Sequence, residues 1–224
     1  MNDSSGDDRA QAVAFDLDGL LVNTEEIYPH VGAEVLRRRG RRLDEALLDA
    51  MLGRPQAVTL GTMISWHGLS DTIDTLARET REIFLGLLDE RLAAMPGAVP
   101  LLDRLRAAGI PCCLATSSGP DYAIDVLERL GLADRFAFML TAADVVHGKP
   151  DPEIYRTAAS RFGVAPGRMV VLEDSPIGCR AGIGAGAVVV AVPGTHVRRP
   201  DFTGVRLVAG SLADERLAAV IGLA

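Results

Sequence analysis

Short apolar runs and amphipathic segments alternate along most of this chain. The apolar runs predict buried strands at residues 13–15, 110–115, 136–140, 169–172, 187–192 and 205–208. Apolar positions at helical spacing predict helices at residues 100–108, 122–130, 154–162, 177–185 and 212–221. Strands that alternate with helices in this way form a parallel sheet with helices on both faces. The pattern therefore predicts an α/β fold with a Rossmann-like, doubly wound parallel sheet.

One long segment, residues 25–94, differs from the rest because its pattern is helical throughout. After a first helix that ends near Gly40, further helical stretches are predicted at residues 44–52, 56–66 and 70–94. A Met-Pro-Gly sequence at residues 95–97 then marks the return to alternating strands and helices. We therefore expect an all-helical cap at residues 25–94, inserted into an α/β core of residues 11–24 and 95–224.

The composition is that of an ordinary globular protein and argues against several kinds of partner. The 224 residues are 48% hydrophobic and 24% charged. A net charge of −7 argues against nucleic acid as a partner, although a local cation can still attract an anionic substrate. No apolar run is long enough to span a membrane. No long exposed apolar stripe indicates an obligate dimer, so we expect a monomer.

The N-terminus and the cysteines bear on location. Residues 1–10 are polar and acidic, which predicts a flexible N-terminal tail rather than a signal peptide. The three cysteines, of which Cys112 and Cys113 are adjacent, make no disulfide framework and lie in apolar surroundings. We expect reduced core thiols and, from them, a cytoplasmic protein.

The first predicted strand ends in two carboxylates, Asp16 and Asp18, followed by Gly19. Residues two apart in a strand point the same way, so these side chains are expected to converge. Open α/β sheets bind ligands beyond the carboxyl ends of their strands, and two close anions repel unless a cation or a proton intervenes. A strand followed by a plain acidic turn is the alternative interpretation of this pattern alone.

Other predicted strands also end in polar residues. Thr116 and Ser117 follow the second strand, Glu173 and Asp174 follow the fourth, and Lys149, the only lysine of the chain, lies in the loop after the third. Clustered carboxylates suit Mg²⁺, whereas hydroxyls and an ammonium suit phosphoryl oxygens. An aspartate can also serve as a nucleophile. Each motif alone is more often structural, as a helix cap, solvated loop or rigid turn; their joint occurrence indicates a phosphoryl-transfer site.

Together these motifs resemble the four motifs of the haloacid dehalogenase-like hydrolase superfamily. The matching segments are residues 15–19, the strand end at Thr116, residues 148–150 and residues 173–175. The similarity covers nearly the whole chain and is greatest to the phosphatase and β-phosphoglucomutase-like branch, whose helical cap is inserted just after the first motif. It implies a Rossmann-like core with such a cap.

The resemblance also implies roles for individual residues. Asp16 would be the nucleophile and Asp18 the general acid and base. Thr116 and Ser117 would hold the transferring phosphoryl group, and Lys149 would orient the nucleophile and the phosphate.

A Mg²⁺ ion is the implied cofactor. Glu173 and Asp174 would hold it together with Asp16 and the backbone carbonyl of Asp18. The dehalogenase members lack the second aspartate and use no metal, so Asp18 indicates phosphoester chemistry. One departure concerns residue 23, an asparagine where the branch often has aspartate.

In such proteins the helical cap closes over the site and selects the substrate. Gly53 and Arg54 resemble the substrate-specificity loop of the family, which predicts that this loop binds substrate and that Arg54 contacts its non-reacting part. A surface charge after the end of a helix is the alternative for Arg54.

The leading prediction is a Mg²⁺-dependent phosphatase that acts on a small phosphorylated metabolite through an aspartyl-phosphate intermediate. The first alternative is a phosphosugar mutase, whose cap must hold a second phosphate. That branch uses a cap lysine, which this cap lacks, although an arginine could substitute. A non-catalytic binding protein is the third hypothesis. The identity of the substrate stays open.

Overall fold

The computed structural model describes residues 9–51, 54, 56–194 and 201–223. The chain divides into two compact units, one from Asn23–Leu92 and the other from Met1–Val22 with Ala93–Ala224. Most of the predicted N-terminal tail, residues 1–8, lies outside the described residues. No described helix has the length and apolarity that crossing a bilayer requires.

A parallel sheet forms the centre of the larger unit. Its strands are β1 (Ala12–Phe15), β2 (Cys112–Ala115), β3 (Phe138–Leu140), β4 (Met169–Glu173), β5 (Val188–Ala191) and β6 (Leu207–Val208). They lie in the order β3-β2-β1-β4-β5-β6, and every paired neighbour is parallel. The chain order reverses between β1 and β4, where open α/β sheets bind ligands. The predicted fold class is confirmed.

All the regular secondary structure described in the smaller unit is helical. It consists of α1 (Thr24–Arg37), α2 (Glu45–Met51), α3 (Gln56–His67) and α4 (Ile73–Arg91). The Thr72 hydroxyl accepts a hydrogen bond from the Thr75 amide and so caps α4. Asn23 donates from Nδ2 to the carbonyl of Arg91 at 3.0 Å. An aspartate could not make this bond, because an ionised carboxylate has no proton to donate.

Helices of the larger unit cover both faces of the sheet. They are α5 (Ala98–Ala107), α6 (Pro120–Arg129), α7 (Glu153–Phe162), α8 (Pro176–Ala185) and α9 (Glu215–Ile221). On one face, small side chains of β1 such as Ala12 and Ala14 form a buried cluster with Tyr155 of α7 and Cys179 of α8. Small residues let both helices approach the sheet closely. This packing brings Tyr155 to the carboxyl end of β4.

Several predicted boundaries differ from the observed ones by two or three residues, and the last strand and the last helix are two examples. The last strand is confined to Leu207–Val208, and the last helix begins at Glu215 instead of residue 212. The Asp214 side chain accepts a hydrogen bond from the Arg216 amide and caps the helix there. The described cysteines are all buried and free, as expected.

Candidate active site

Asp16 and Asp18 follow β1, but they are placed differently. β1 ends at Phe15, and the Asp16 amide still donates to the carbonyl of Leu172 on β4, at 3.1 Å. Beyond it the chain leaves the strand, with Gly19 at a φ of 79°. The alternation of a strand therefore does not extend to Asp18. The convergence of Asp16 and Asp18 was predicted from strand geometry, and this geometry is absent at Asp18 because β1 ends at Phe15.

Lys149 is the central cation of the site. Its ammonium donates to Oδ1 of Asp16 at 2.6 Å, to Oε1 of Glu173 at 2.7 Å and to the carbonyl of Ala115 at 2.8 Å. These acceptors match the donor capacity of an ammonium group. Burial alone would lower the pKa of Lys149, but the charges of Asp16 and Glu173 outweigh it and raise the pKa. Lys149 is thus a fixed positive charge between two carboxylates.

Glu173 is fully buried at the end of β4. Besides Lys149, its Oε1 accepts a hydrogen bond from the Tyr155 hydroxyl at 2.6 Å, and its Oε2 accepts one from the Ser175 hydroxyl at 3.1 Å. Burial and the nearby negative charges raise the pKa of Tyr155 well above its usual value, so the phenol stays a donor. Sequence reasoning missed Tyr155, because nothing in an amphipathic helix pattern distinguishes it from a core aromatic.

Three carboxylates form an acidic cluster next to Lys149. Asp16, Glu173 and Asp174 each offer an oxygen, and these oxygens lie within 4.8 Å of one another. With all groups ionised, the cluster and Lys149 carry a formal charge of −2. Burial raises the pKa of Asp16; Lys149 opposes this rise, and the charges of Glu173 and Asp18 add to it. A divalent cation would balance the formal charge of −2 on the cluster and Lys149.

The donor set of the acidic cluster fits Mg²⁺. This ion prefers oxygen ligands at about 2.0–2.1 Å in an octahedron, so ligand oxygens on one ion lie about 3–4 Å apart. The spacing of the cluster is compatible with that geometry. Asp16 and Asp174 are each 8% exposed, whereas Glu173 is fully buried and both of its oxygens accept hydrogen bonds. An ion that enters the cluster from solvent would therefore meet Asp16 and Asp174 first.

The Asp18 carboxylate does not belong to the described acidic cluster. Its Oδ2 accepts a hydrogen bond from the Ser118 hydroxyl and its Oδ1 accepts one from the Tyr122 hydroxyl, both at 2.7 Å. Sequence reasoning missed both residues. The polar run after β2 was a signal for Ser118, whereas Tyr122 gave none beyond its place near the start of α6.

Thr116 and Ser117 lie at the carboxyl end of β2, on the same edge of the sheet as Asp16. Thr116 is buried; its amide donates to Leu140 and its hydroxyl oxygen accepts from the Ser118 amide at 3.0 Å. Ser117 is exposed at this edge. The hydroxyl of Thr116 thus shapes the turn that follows β2.

The predicted cap residues lie in or beside the helical unit. Gly53 falls outside the described residues. Arg54 is exposed between α2 and α3 and lines a cavity of about 450 Å³ within this unit. Polar residues such as Gln56 and Thr59 line the same cavity, together with apolar ones such as Met63.

The fold and this site define a class of protein: an α/β protein whose parallel sheet carries an acidic cluster and a buried lysine at its carboxyl edge. The model of the haloacid dehalogenase-like hydrolases matches residues 10–186. The chain therefore belongs to the haloacid dehalogenase-like hydrolases.

Individual relatives agree with this assignment. The chain is 36% identical to validoxylamine A 7'-phosphate phosphatase of Streptomyces hygroscopicus subsp. limoneus, over 81% of this chain and 85% of that protein. It is 32% identical to a phosphorylated carbohydrates phosphatase of Thermotoga maritima, over 79% and 82% of the two chains. A solved hydrolase of Deinococcus radiodurans with bound phosphate and sodium superposes with a TM-score of 0.80 at 31% identity, covering 97% and 98%. The predicted family and the predicted enzyme class, a phosphatase, are confirmed.

Proposed function

We propose that this protein is a Mg²⁺-dependent phosphatase that hydrolyses a small phosphorylated carbohydrate or polyol through an aspartyl-phosphate on Asp16. The observation that carries the proposal is the Lys149 ammonium, which holds Asp16 Oδ1 at 2.6 Å beside an acidic cluster at the sheet edge. A lysine in this position fixes the orientation of the Asp16 carboxylate and attracts a phosphate. The raised pKa of Lys149 keeps this charge present at neutral pH.

In the first step, an oxygen of Asp16 attacks the phosphorus atom and the bond from phosphorus to the leaving oxygen breaks. Asp18 gives its proton to that leaving oxygen, which departs as an alcohol. The hydroxyl groups of Thr116 and Ser117 bind the phosphoryl oxygens as charge moves onto them. Lys149 stays protonated and compensates the charge near Asp16.

In the second step, water attacks the phosphorus atom of the aspartyl-phosphate. Asp18, now ionised, takes a proton from that water, and the bond between phosphorus and the Asp16 oxygen breaks. Inorganic phosphate leaves and Asp16 returns to its carboxylate form. One residue thus acts first as acid and then as base.

Asp16, Asp174 and the backbone carbonyl of Asp18, with Glu173 in the same cluster, would hold a Mg²⁺ ion, which would supply positive charge between the nucleophile and the phosphate. The support for this ion is the formal charge of −2 on the cluster and the all-oxygen character of its donors.

The substrate class rests on the relatives and on the helical unit. Two relatives at 36% and 32% identity are named as phosphatases of phosphorylated carbohydrates or of a validoxylamine phosphate, and a third, at 35%, as a hexitol phosphatase. We infer that Arg54 contacts the non-reacting part of the substrate. Its support is the cavity of about 450 Å³ that Arg54 lines with other polar side chains. A mutase is not favoured, because residues 23–92 contain no lysine to hold a second phosphate.

The experiment is phosphate release from a panel of sugar, polyol, nucleotide and glycolate phosphates, with Mg²⁺ or with a chelator. We expect Mg²⁺-dependent release that is strongest for sugar or polyol phosphates and needs no added bisphosphate. Asp16→Asn should lower kcat roughly a thousandfold or more, since it removes the nucleophile. The matched control is Asp134→Asn, an exposed aspartate of the same unit, which should retain full activity. Equal activity of Asp16→Asn and wild type would refute the proposal.

A further inference from the structure

The two aspartates after β1 have separate sets of partners. Asp16 is held by Lys149, which also binds Glu173 and through it Tyr155. Asp18 is held by two hydroxyl groups that follow β2, those of Ser118 and Tyr122. A residue that holds Asp18 can therefore affect proton transfer without removing the hydrogen-bond partner of the nucleophile.

Each oxygen of the Asp18 carboxylate accepts a hydroxyl donor at 2.7 Å. A carboxylate on a turn can rotate about two side-chain bonds, and a donor on each oxygen restricts both rotations. Each oxygen offers about two lone-pair sites, so the hydrogen bond from a hydroxyl does not by itself fill an oxygen. The two hydroxyls thus fix the orientation of the group without blocking it.

Local hydrogen bonds also hold the backbone of the two residues that donate to Asp18. The Ser118 amide donates to the Thr116 hydroxyl oxygen at 3.0 Å, which sets the turn after β2. Tyr122 lies in the first turn of α6, which begins with Pro120 and continues with the Ala123 amide bonded to Gly119. Groups held by such elements can place a reacting carboxylate accurately.

We propose that Tyr122 and Ser118 are positioning residues that hold Asp18 for proton transfer to the leaving oxygen. This inference rests on the proposed function, in which Asp18 is the general acid. Loss of either hydroxyl should then lower kcat/KM only for substrates whose leaving oxygen needs a proton. An alkyl phosphate needs one, because an alkoxide is a strong base. A 4-nitrophenyl phosphate does not, because its phenolate is stable as it departs.

The test compares kcat/KM of Tyr122→Phe for both substrate types. This ratio reports the steps up to departure of the leaving group. For an alkyl phosphate taken from the panel we expect a loss of about tenfold, a fraction of the 10²–10⁴-fold that acid–base catalysis typically contributes. For 4-nitrophenyl phosphate we expect less than about a twofold loss, since no proton is transferred. Ser118→Ala should show the same selectivity, and it carries the test if Tyr122→Phe melts below the assay temperature.

The matched control is Tyr155→Phe, the same chemical change on the partner of Glu173. It should lower kcat/KM for both substrate types by the same factor, because the acidic cluster serves both. If Tyr122→Phe and Ser118→Ala each lowered kcat/KM by the same factor for the alkyl phosphate and for 4-nitrophenyl phosphate, the inference would be overturned. Asp18→Asn separates this failure from that of the proposed function. If Asp18→Asn is selective and the two hydroxyl variants are not, only the inference is wrong. If Asp18→Asn is itself unselective, the general acid has been assigned wrongly.

Discussion

At the scale of single residues, burial and hydrogen bonds hold the Glu173 carboxylate in one position. It is fully buried, and its oxygens accept hydrogen bonds from Lys149, Tyr155 and Ser175. Gly178, in the first turn of α8, lies against this carboxylate, and a Cβ on that residue would overlap it. The carboxylate can give way only by breaking its own hydrogen bonds. A glycine at residue 178 thus leaves the space that the Glu173 carboxylate occupies.

The substitution Gly178→Ala tests this close approach. It should push Glu173 away from Lys149 and lower kcat roughly a hundredfold, a typical cost of a misplaced catalytic group. The measurement is phosphate release, with thermal melting to confirm folding. Gly184→Ala in the same helix is the matched control, because its Cβ would meet only Pro152 at an ordinary 3.5 Å. Wild-type activity of Gly178→Ala would contradict this account of the site.

Sequence reasoning found the residues with distinctive chemistry and missed those without it. A lone lysine and acidic strand ends stand out in the sequence, and the structure brings Asp16, Lys149, Glu173 and Asp174 together. Tyr122 and Tyr155 look like ordinary helix residues, since their roles depend on which strand end each helix meets. Such pairings between distant residues are set by tertiary packing, which periodicity does not encode.

At the scale of elements, the strands and helices followed from periodicity, whereas some of their ends did not. Local hydrogen bonds decided those ends. Asp214 caps the last helix, and the chain leaves β1 at Phe15. The end of β1 has a chemical consequence. Because the chain leaves the strand at Phe15, Asp18 contacts Ser118 and Tyr122 and lies outside the acidic cluster.

Within the helical unit, one arginine joins the end of α1 to the start of α4. Arg39 donates to Asp71 at 2.7 Å and to Glu79 at 2.6 Å, and all three side chains are less than one-fifth exposed. These hydrogen bonds lower the pKa of both Asp71 and Glu79. A lowered pKa in the folded state stabilises it above the ordinary pKa of the carboxyl groups, and this stabilisation disappears as the pH falls.

We expect Arg39→Met to lower the free energy of unfolding by about 1 kcal/mol at pH 7, a value discounted for solvent screening. The difference from wild type should shrink as the pH falls below about 4, the ordinary pKa of the carboxyl groups, and through their lowered pKa in the folded protein. Urea unfolding at pH 7 and at pH 3, monitored by the circular dichroism of the helices, measures this difference in the free energy of unfolding. Arg37→Met removes an exposed pair within α1 and serves as the control with little effect. A difference that persists at low pH would show that Arg39 acts through packing instead.

At the scale of the whole molecule, the acidic cluster should link metal binding to stability. Its buried carboxylates repel one another, and an ion that binds only the folded state stabilises it by mass action. Mg²⁺ at a hundred times its Kd should add about 2.7 kcal/mol to the free energy of unfolding. Thermal melting with and without Mg²⁺ measures this, independently of activity. Asp174→Asn should abolish the shift and Asp134→Asn should keep it; a shift that survives in Asp174→Asn would place the ion elsewhere.

The central claim is that Asp16 carries the phosphoryl group, and Asp18→Asn offers the most direct measurement. With 4-nitrophenyl phosphate and Mg²⁺, the first step needs no acid, whereas the second lacks its base, so the phosphorylated enzyme should accumulate. We expect a nitrophenolate burst equal to the enzyme concentration, and mass spectrometry of the quenched protein should locate the phosphate on Asp16. Phosphate on another residue, or steady turnover with no covalent phosphate, would contradict it.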